Sequence, residues 1–433
     1  MERTKIKTVI VGGGFGGINV AQQLLKKSDN VDVTLVDRNN YNFFPPLLYQ
    51  VATGFLDISN ISYPYRRLFR DQPNFNFQMG ELLSIQPEEN KILLSTGEIH
   101  YDNLIIATGT TSNYFGMQNI ERNALPMKTI DDAVALKNTL LQRLEDATLT
   151  KDEAERKRLT TIVVAGGGPT GVEVAGMLAE LRQNIFKKDY PELAALPFDI
   201  YLIDGLPTLL TPMSKKSQEY THKSLTAMGV NIKLNKKVVD FKNDRVSFDD
   251  GESIETKNLI WSAGVTSQRF EGMPAESYGR GNRLLVDAFN KVQGQGNIYA
   301  IGDNCLQTTD TAFPNGHPQV AQVAIQQGAN LAQNIVATLK SGQQKPFTYH
   351  DKGSMAIIGR NKAVTDLPKP ALHMNGFMAW LMWLFVHLIS LVNFRNKLKT
   401  AYNWVAAYLT KDQHLRMIVK SNVKREQDVD YFM

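Results

Sequence analysis

Cysteine is the scarcest residue of this chain. Among 433 residues there is a single one, Cys305. One thiol excludes an intramolecular disulfide, a cysteine-ligated zinc cluster and a CxxC redox pair. It also favours a reducing compartment such as the cytosol. Chemistry that needs two neighbouring thiols is therefore excluded for this chain.

The chain also lacks a strong bias in composition. Charged residues make up 21% of it and hydrophobic residues 43%, a balance typical of folded domains rather than of disordered or collagen-like chains. At ~100–200 residues per domain, the length predicts two or three domains. The amino terminus shows no hydrophobic stretch of the secretory type, so we expect the first residues to belong to the fold.

The small net charge of +5 is unevenly distributed. One acid, Asp412, lies between Arg395 and Arg425, so this stretch carries +7 and the rest of the chain −2. Its eight basic residues are Arg395, Lys397, Lys399, Lys411, Arg416, Lys420, Lys424 and Arg425. Such a run is often only a solvated face. Its position after an apolar segment, described below, favours a role at a membrane surface.

A glycine-rich pattern occurs twice, 154 residues apart. It reads VIVGGGFGG at Val9–Gly17 and IVVAGGGPTG at Ile162–Gly171. In both copies an apolar run of strand type leads into GxGxxG, and a helical pattern follows. A second strand then ends in an acid, Asp37 in the first copy and Asp204 in the second. A single GxGxxG is weak evidence, but here strand, turn, helix and acid recur together.

Each part of this pattern suits a dinucleotide. The glycines permit a tight turn, a close approach of the backbone to a pyrophosphate, and close packing of helix on strand. The amide groups at the helix N-terminus then face the phosphates. A carboxylate after the second strand accepts ribose hydroxyls and repels a 2′-phosphate, so Asp204 favours NADH over NADPH. The two copies therefore predict two dinucleotide sites.

Three further segments resemble those of the flavoprotein superfamily with two dinucleotide-binding domains. They are LIIATG at Leu104–Gly109, LIWSAG at Leu259–Gly264 and NIYAIGD at Asn297–Asp303. The resemblance implies that FAD occupies the first site and NADH the second. It also implies an α/β fold of two nested Rossmann-like domains, to which the tail residues described below are expected to add a C-terminal helical membrane-anchoring region. The expected boundaries are an FAD-binding domain in two parts (1–115 and 271–345), an inserted NADH-binding domain (116–270) and a C-terminal region (346–433).

Longer stretches resemble a narrower family, the type II, single-subunit NADH:quinone oxidoreductases. They are FFPPLLYQVATG at Phe43–Gly54, GGGPTGVEVAGMLAE at Gly166–Glu180, AIGDN at Ala300–Asn304, AQVAIQQG at Ala321–Gly328 and KGSMAIIGR at Lys352–Arg360. The thiol-using branches of the superfamily need cysteines near the flavin, and we expect Cys305 to be a buried packing residue. The resemblance implies transfer of a hydride from NADH to non-covalent FAD, and of two electrons onward to menaquinone or ubiquinone, without a metal or proton pumping.

The resemblance also implies site residues. For FAD they are Gly12, Gly14, Phe15, Gly16, Gly17, Asp37, Arg38, Ala107, Thr108, Gly109, Gly302, Asp303, Ala321 and Gln322. For NADH they are Gly166, Gly168, Pro169, Thr170, Gly171, Glu173, Asp204, Ala263 and Gly264. For the quinone they are Phe43, Pro45, Tyr49, Gln322 and Gln326.

Three of these residues are candidates for catalysis. Glu173 is expected near the flavin and nicotinamide, although a carboxylate in a first helical turn can simply stabilise the helix. Gln322 and Gln326 are spaced i, i+4 and share one helix face, where they could bind a quinone oxygen or be exposed to solvent. Lys352, His317 and Lys369 could supply protons to the quinone, and the sequence does not rank them.

The segment Phe377–Phe394 is predicted to be a membrane anchor. Its 18 residues would form a helix of about 27 Å, short of a ~30 Å hydrocarbon core. The apolar arc comprises Phe377, Trp380, Leu381, Leu384, Phe385, Leu388, Leu391 and Val392, with Ala379, His387, Ser390 and Asn393 opposite. Trp380, Trp383 and Trp404 are expected at the interface. This asymmetry favours a helix lying in the membrane surface over a buried or dimer-forming helix, or a membrane span.

We therefore expect a peripheral enzyme on the cytoplasmic face of the inner membrane, a homodimer by assembly, with no nucleic-acid partner. Two alternatives remain open on the sequence. One is a soluble NADH-dependent flavin reductase that passes electrons to a ferredoxin-like protein. The other is a flavin-bearing NADH sensor with little turnover.

Overall fold

The computed structural model describes residues 5–194, 196, 198–411 and 415–419, with strands and helices in alternation. Up to residue 126 the strands are β1 (Ile6–Val11), β2 (Val31–Asp37), β3 (Tyr41–Phe43), β4 (Ser62–Pro64), β5 (Phe75–Met79), β6 (Leu82–Gln86), β7 (Lys91–Leu94), β8 (Gly97–His100), β9 (Asn103–Ile106), β10 (Thr111–Ser112) and β11 (Leu125–Pro126). The helices of this part are α1 (Phe15–Lys27), α2 (Leu48–Ala52), α3 (Ile58–Ile61), α4 (Tyr65–Leu68) and α5 (Gln118–Asn123).

The middle of the chain repeats the alternation. Its helices are α6 (Ile130–Leu149), α7 (Glu153–Thr160), α8 (Pro169–Leu181), α9 (Lys187–Asp189) and α10 (Lys215–Ala227). A π-helix, Arg182–Phe186, joins α8 to α9. The strands are β12 (Ile162–Ala165), β13 (Ile200–Ile203), β14 (Val230–Lys233), β15 (Val238–Lys242), β16 (Arg245–Phe248), β17 (Ser253–Glu255), β18 (Asn258–Trp261) and β19 (Val265–Thr266).

The last part contains fewer and longer elements. The strands are β20 (Leu284–Val286), β21 (Ile298–Ala300), β22 (Cys305–Gln307), β23 (Ser354–Gly359), β24 (Lys362–Pro368) and β25 (Ala371–Asn375). The helices are α11 (Ala321–Leu339), α12 (Gly376–Ser390) and α13 (Phe394–Thr410).

Two parallel sheets of five strands organise the fold. The first has the order β21-β9-β1-β2-β5 and the second the order β11-β18-β12-β13-β14. All four residues of β12 are buried, as expected of a parallel strand covered on both faces. Strand β21 belongs to the first sheet although it follows the whole second sheet in the chain. The predicted α/β fold with nested dinucleotide-binding units is therefore confirmed.

The C-terminal part begins with the antiparallel sheet β23-β24-β25 and ends with α12 and α13. Strand β23 packs against α8, and α12 packs against the sheet. The helix predicted at Phe377–Phe394 is wrong at its end, because α12 stops at Ser390. The side chain of Asn393 accepts a hydrogen bond of 2.8 Å from the amide of Arg395 and starts α13 as a new helix.

The two C-terminal helices expose apolar side chains. This outer apolar face comprises Phe377, Leu381, Phe385, Ile389, Leu398, Tyr402, Val405 and Leu409. Leu391, expected on the outward arc, is buried, and so are Trp383 and Trp404, which were expected at the interface. Those two indoles pack in the protein core, 6.0 Å apart between ring centres. Of the basic segment, Lys420, Lys424 and Arg425 lie outside the described residues, as does Asp412.

In the part of the chain that the structure describes, no helix combines the length and the hydropathy that a membrane span requires.

Candidate active site

A cleft of about 500 Å³ lies at the carboxyl ends of the strands of the first sheet. Its floor is the first glycine turn. Gly12 has a φ of +102°, and a Cβ there would lie 2.4 Å from the carbonyl oxygen of Ala107. A Cβ at Gly17 would lie 1.9 Å from the carbonyl oxygen of Gly12. Only glycine fits at both positions, and helix α1 begins at this turn without a side-chain cap at Gly14.

Asp37 lies beside this turn. Its Oδ2 accepts a hydrogen bond of 2.7 Å from the amide of Gly13, and its Oδ1 accepts one of 2.8 Å from the amide of Asn39. The hydroxyl of Tyr65 donates to the carbonyl oxygen of Gly13 over 3.0 Å. Burial raises the pKa of Asp37, although the two amides and the Tyr65 hydroxyl lower it in part. The acid is thus held at the turn, where the ribose of a bound dinucleotide would lie.

Most of the residues predicted for FAD line this cleft. They are Gly12, Gly14, Phe15, Gly16, Asp37, Arg38, Ala107, Thr108, Gly109, Gly302, Asp303 and Ala321. Gly17 packs directly against the main chain of the turn at Gly12. A glycine turn without room for a Cβ, an uncapped helix N-terminus and an acid after the second strand fit the pyrophosphate and ribose of FAD.

The sequence reasoning missed Lys128, which also lines the cleft. Its Nζ donates to the hydroxyl of Thr110 over 2.7 Å. Burial lowers the pKa of Lys128, and the charge of Asp303 opposes that shift. Thr129 and Asp132 form a capping box that starts α6 directly after this lysine.

The second glycine turn has the same construction. Gly166 has a φ of +111°, and a Cβ there would lie 2.5 Å from the carbonyl oxygen of Ser262. The amide of Gly167 donates to Oδ2 of Asp204, and the amide of Leu206 donates to Oδ1 over 2.7 Å. Pro169 occupies the first turn of α8, where its missing N–H costs nothing.

The other residues predicted for NADH lie around this turn. Gly168 is the N-cap of α8, and Gly171 packs so closely that a Cβ would lie 1.8 Å from the carbonyl oxygen of Gly166. Ala263 and Gly264 follow β18, and Gly264 accepts a hydrogen bond of 3.0 Å from Asn113. Pro169 and Thr170 also line the first cleft. The two dinucleotide turns therefore face a common space.

Next to this space is an apolar cavity of about 560 Å³ between α8, β23 and the two C-terminal helices. Its walls include Met177, Leu384, Leu388, Trp404 and Val405. The outer apolar face contributes Phe377, Leu381, Phe385 and Leu409 as well. The cavity therefore extends from the interior of the protein to the face that the C-terminal helices expose.

Glu173 and Tyr49 line both the cleft and the apolar cavity. Burial raises the pKa of Glu173 to about 8, and a long hydrogen bond of 3.5 Å from the amide of Ile357 lowers it only in part. Burial, with the nearby charge of Glu173, raises the pKa of Tyr49 well above its usual range. The Tyr49 hydroxyl accepts a hydrogen bond of 2.8 Å from Gln50, which in turn accepts one of 2.8 Å from Trp404.

The other quinone candidates are not brought together. Phe43 and Pro45 line the cleft, and neither is among the residues that line the apolar cavity. The amide of Gln322 donates to Gly353 over 2.9 Å and accepts from Lys352 over 3.0 Å. Gln326 pairs in the same way with the main chain of His350.

Both side-chain amides thus pair with the main chain of residues 350–353, which leads into the C-terminal sheet. Binding of a quinone oxygen by the two glutamines stays a prediction. Helix α11 still reaches the cleft through its first residue, Ala321.

His387 is a second residue that the sequence reasoning missed. It was expected on the polar side of the anchor helix, and it lines the cleft from α12. Its Nδ1 lies 2.8 Å from the carbonyl oxygen of Trp383, so this nitrogen is the donor of the pair. Burial lowers the pKa of His387 to about 4, which keeps the ring neutral near pH 7.

Comparison with known proteins gives the family. Residues 6–328 match the pyridine nucleotide-disulphide oxidoreductase family and residues 351–411 match the NDH2 C-terminal domain. The chain is 37% identical to the type II NADH:quinone oxidoreductase NdhA of Mycobacterium tuberculosis, over 93% of this chain and 87% of the relative. It is 35% identical to Ndh of the same organism, over 93% and 88%.

A solved structure agrees in fold. NDH2 from Plasmodium falciparum, in a complex with NADH, superposes with a TM-score of 0.86 at 23% identity, over 96% of this chain and 100% of that one. A ferredoxin reductase from Rhodopseudomonas palustris gives a TM-score of 0.66 at 20% identity and covers 84% of this chain. The fold, the two glycine turns and these relatives agree: the chain belongs to the type II NADH:quinone oxidoreductase family.

Proposed function

We propose that this chain oxidises NADH with bound FAD and reduces a lipid quinone, menaquinone or ubiquinone. The observation that supports this most directly is that two residues are shared by the cleft and the apolar cavity. Glu173 and Tyr49 line the cleft that fits FAD and also the apolar cavity that reaches the outer apolar face. FAD, when bound, supplies the two-electron acceptor between NADH and quinone. An apolar acceptor in the cavity would thus lie next to the flavin.

The residues of the second turn would orient NADH. Asp204 would accept the ribose hydroxyls, and the N-terminal amides of α8 would bind the pyrophosphate. Because a carboxylate repels a 2′-phosphate, NADPH is disfavoured. The apolar walls of the cavity suit an apolar acceptor, so that NADH and quinone would approach the flavin from different sides.

The outer apolar face would bind the membrane surface. Its exposed Phe377, Phe385, Leu398 and Leu409 suit an interfacial helix pair, and the neighbouring basic residues add attraction to anionic lipid of about 1 kcal/mol each. We propose that the enzyme is peripheral and lies on the cytoplasmic face. Flotation of the purified chain with anionic vesicles tests this, with Phe385→Glu and Leu409→Glu expected to abolish binding without loss of flavin.

We propose domain boundaries after residues 115, 270 and 345, and assembly as a homodimer. Residues 342–353, which form neither helix nor strand between α11 and β23, support the boundary near residue 346. Sedimentation of the solubilised enzyme tests the dimer.

A steady-state assay tests the proposed activity. NADH oxidation by the purified flavoprotein should be rapid only when a short-chain quinone is present, and much slower with NADPH. Oxidation that needs a ferredoxin-like protein instead would contradict it.

A further inference from the structure

Helix α8 presents a second acid to the apolar cavity. Glu173, Met177, Glu180 and Asn184 all line it, at a spacing that brings them to one side of the helix and its π-helical continuation. Glu173 and Glu180 are seven residues apart, roughly 10 Å along the axis at ~1.5 Å per residue. The cavity wall therefore carries one carboxyl at the flavin end and a second one about two turns away.

Both carboxyls interact with strand β23 or with the residue that directly follows it. The amide of Arg360 donates to Oε1 of Glu180, and the amide of Ile357 donates to Oε1 of Glu173. Between them helix and strand are in direct contact, because a Cβ at Gly176 would lie 1.8 Å from the carbonyl oxygen of Ile358. The two acids are thus held at either end of one tight helix–strand contact.

The surroundings of Glu180 connect it to the outside of the cavity. Arg360 and Lys411 line the same cavity, and the guanidinium of Arg360 stacks 4.1 Å from the ring of Tyr408, which is exposed. Burial raises the pKa of Glu180, while Arg360 and Lys362 lower it in part. A carboxyl that is mostly desolvated favours its protonated form. Of the described residues that line the cavity, Glu173 and Glu180 are the only acids.

We propose that Glu180 relays protons from the end of the apolar cavity at Arg360, and not from its lipid-facing side, toward Glu173 and the bound quinone. This inference rests on the proposed function. In the reaction NADH + H⁺ + Q → NAD⁺ + QH₂, the hydride brings two electrons and one proton, so one more proton must come from solvent. Glu180 gives its proton toward Glu173 through water in the cavity and takes another from solvent at the end near Arg360. The relay involves no net change in Glu180.

A purely structural role for Glu180 makes a different prediction. If the carboxyl only accepts the hydrogen bond from the amide of Arg360, glutamine can replace it, since its Oε1 accepts equally well. Glutamine cannot release and regain a proton under these conditions. Aspartate keeps the acid but shortens the side chain. The pair Glu180→Gln and Glu180→Asp therefore separates proton transfer from packing.

The test follows flavin absorbance in stopped flow, with quinone and with ferricyanide, an electron acceptor that takes up no proton. In Glu180→Gln we expect NADH bleaching and ferricyanide recovery at the wild-type rate. Recovery by quinone should slow about 10-fold or more and show an altered solvent deuterium isotope effect. Glu180→Asp should restore part of the rate, and Glu219→Gln, on the exposed face of α10, should match the wild type.

Two results would overturn the relay. One is recovery by quinone at the wild-type rate in Glu180→Gln. The other is an equal slowing with ferricyanide, which would assign Glu180 to structure alone. Failure of the proposed function itself is distinguishable, because quinone would then not restore the flavin absorbance even of the wild-type protein.

Discussion

Helices α1 and α8 follow equivalent glycine turns, yet they carry different side chains to different surroundings. Asn19 and Lys26 of α1 occupy the positions of Glu173 and Glu180 of α8. Asn19 packs against α11, because a Cβ added at Gly328 of that helix would lie 3.3 Å from the Cβ of Asn19. Lys26 is exposed to solvent. Both acids of α8 line the apolar cavity. The same turn thus recurs in both units, and the elements packed on each helix determine what its side chains meet.

Substitution of the first glycine of each turn should have the largest effect and should separate the two units. Gly12→Val cannot adopt a φ of +102° and meets Ala107, so we expect protein with little or no flavin. Gly166→Val should keep flavin, but the rate at which NADH bleaches that flavin should fall by about 100-fold or more. The ratio of flavin to protein absorbance and stopped-flow bleaching measure the two losses. Equal flavin loss in both variants would mean that the units are not separate.

Glu173 should give the next largest effect. A carboxyl whose pKa is raised to about 8 is protonated at pH 7 and ionises as the pH rises through 8. We expect quinone-dependent turnover to fall above pH 8. The turnover of Glu173→Gln should be roughly 100-fold lower than that of the wild type, a loss within the range measured for the removal of a general acid or base. Its turnover should also lack this pH dependence.

The equivalent face of α1 provides the control. Lys26→Glu places an acid at the position that matches Glu180, but in solvent, and turnover should stay within about 2-fold of wild type. An unchanged pH profile in Glu173→Gln would remove Glu173 from the chemistry.

The same comparison predicts an effect on stability. Because folding raises the pKa of the Glu173 carboxyl, its ionisation opposes folding, and the stabilisation present at low pH is lost as the pH rises through 8. The melting temperature of Glu173→Gln, relative to wild type, should therefore increase from pH 6 to pH 9. Thermal unfolding of the two apoproteins at matched ionic strength measures this. A constant difference would show that the carboxyl is solvated.

Asp204 should have a smaller effect, confined to the nucleotide. Asp204→Ala removes the acceptor for ribose hydroxyls and the repulsion of a 2′-phosphate, so the KM for NADH should rise about 10-fold and the preference over NADPH should weaken. Asp199→Ala is the matched control near the same sheet. If the preference for NADH stays as in the wild type, Asp204 has no ribose role.

Gln322 should give the smallest effect. Gln322→Leu removes two hydrogen bonds to residues 352–353, so we expect a loss of about 1–3 kcal/mol in unfolding free energy and near-normal NADH bleaching. Thermal unfolding and flavin recovery are measured together. Slow recovery by quinone with an unchanged melting temperature would support the quinone-binding role expected from the sequence.

Much of the fold was predictable because its signals are local. A glycine turn needs glycine wherever it occurs, so Gly12 and Gly166 could be read directly, and each acid followed its strand at a recognisable place. The nested order followed from segments such as Asn297–Asp303. Glu173 was also accessible, since it lies in the first turn after Gly171.

The errors have a common cause, which is that tertiary packing determines what a helix face meets. Trp383 and Trp404 suit a membrane interface by residue type, but the sheet and α2 provide partners that bury them. The face that Gln322 and Gln326 share, as predicted, meets a segment 24 to 31 residues further along the chain, a contact that helical spacing alone does not indicate. His387 and Lys128 needed knowledge of the cleft, which arises from elements far apart in the sequence.

Glu173 and Tyr49 line both the cleft and the apolar cavity, and we expect electrons to pass between the two spaces there. Ala401 lines the cavity from α13 and lies outside the cleft, so Ala401→Trp should fill the cavity alone. Ala406→Trp on the same helix is the control. In stopped flow we predict normal flavin bleaching by NADH and normal recovery with ferricyanide in both variants, and loss of recovery with quinone in Ala401→Trp only. Full recovery with quinone in Ala401→Trp would show that quinone does not use this cavity.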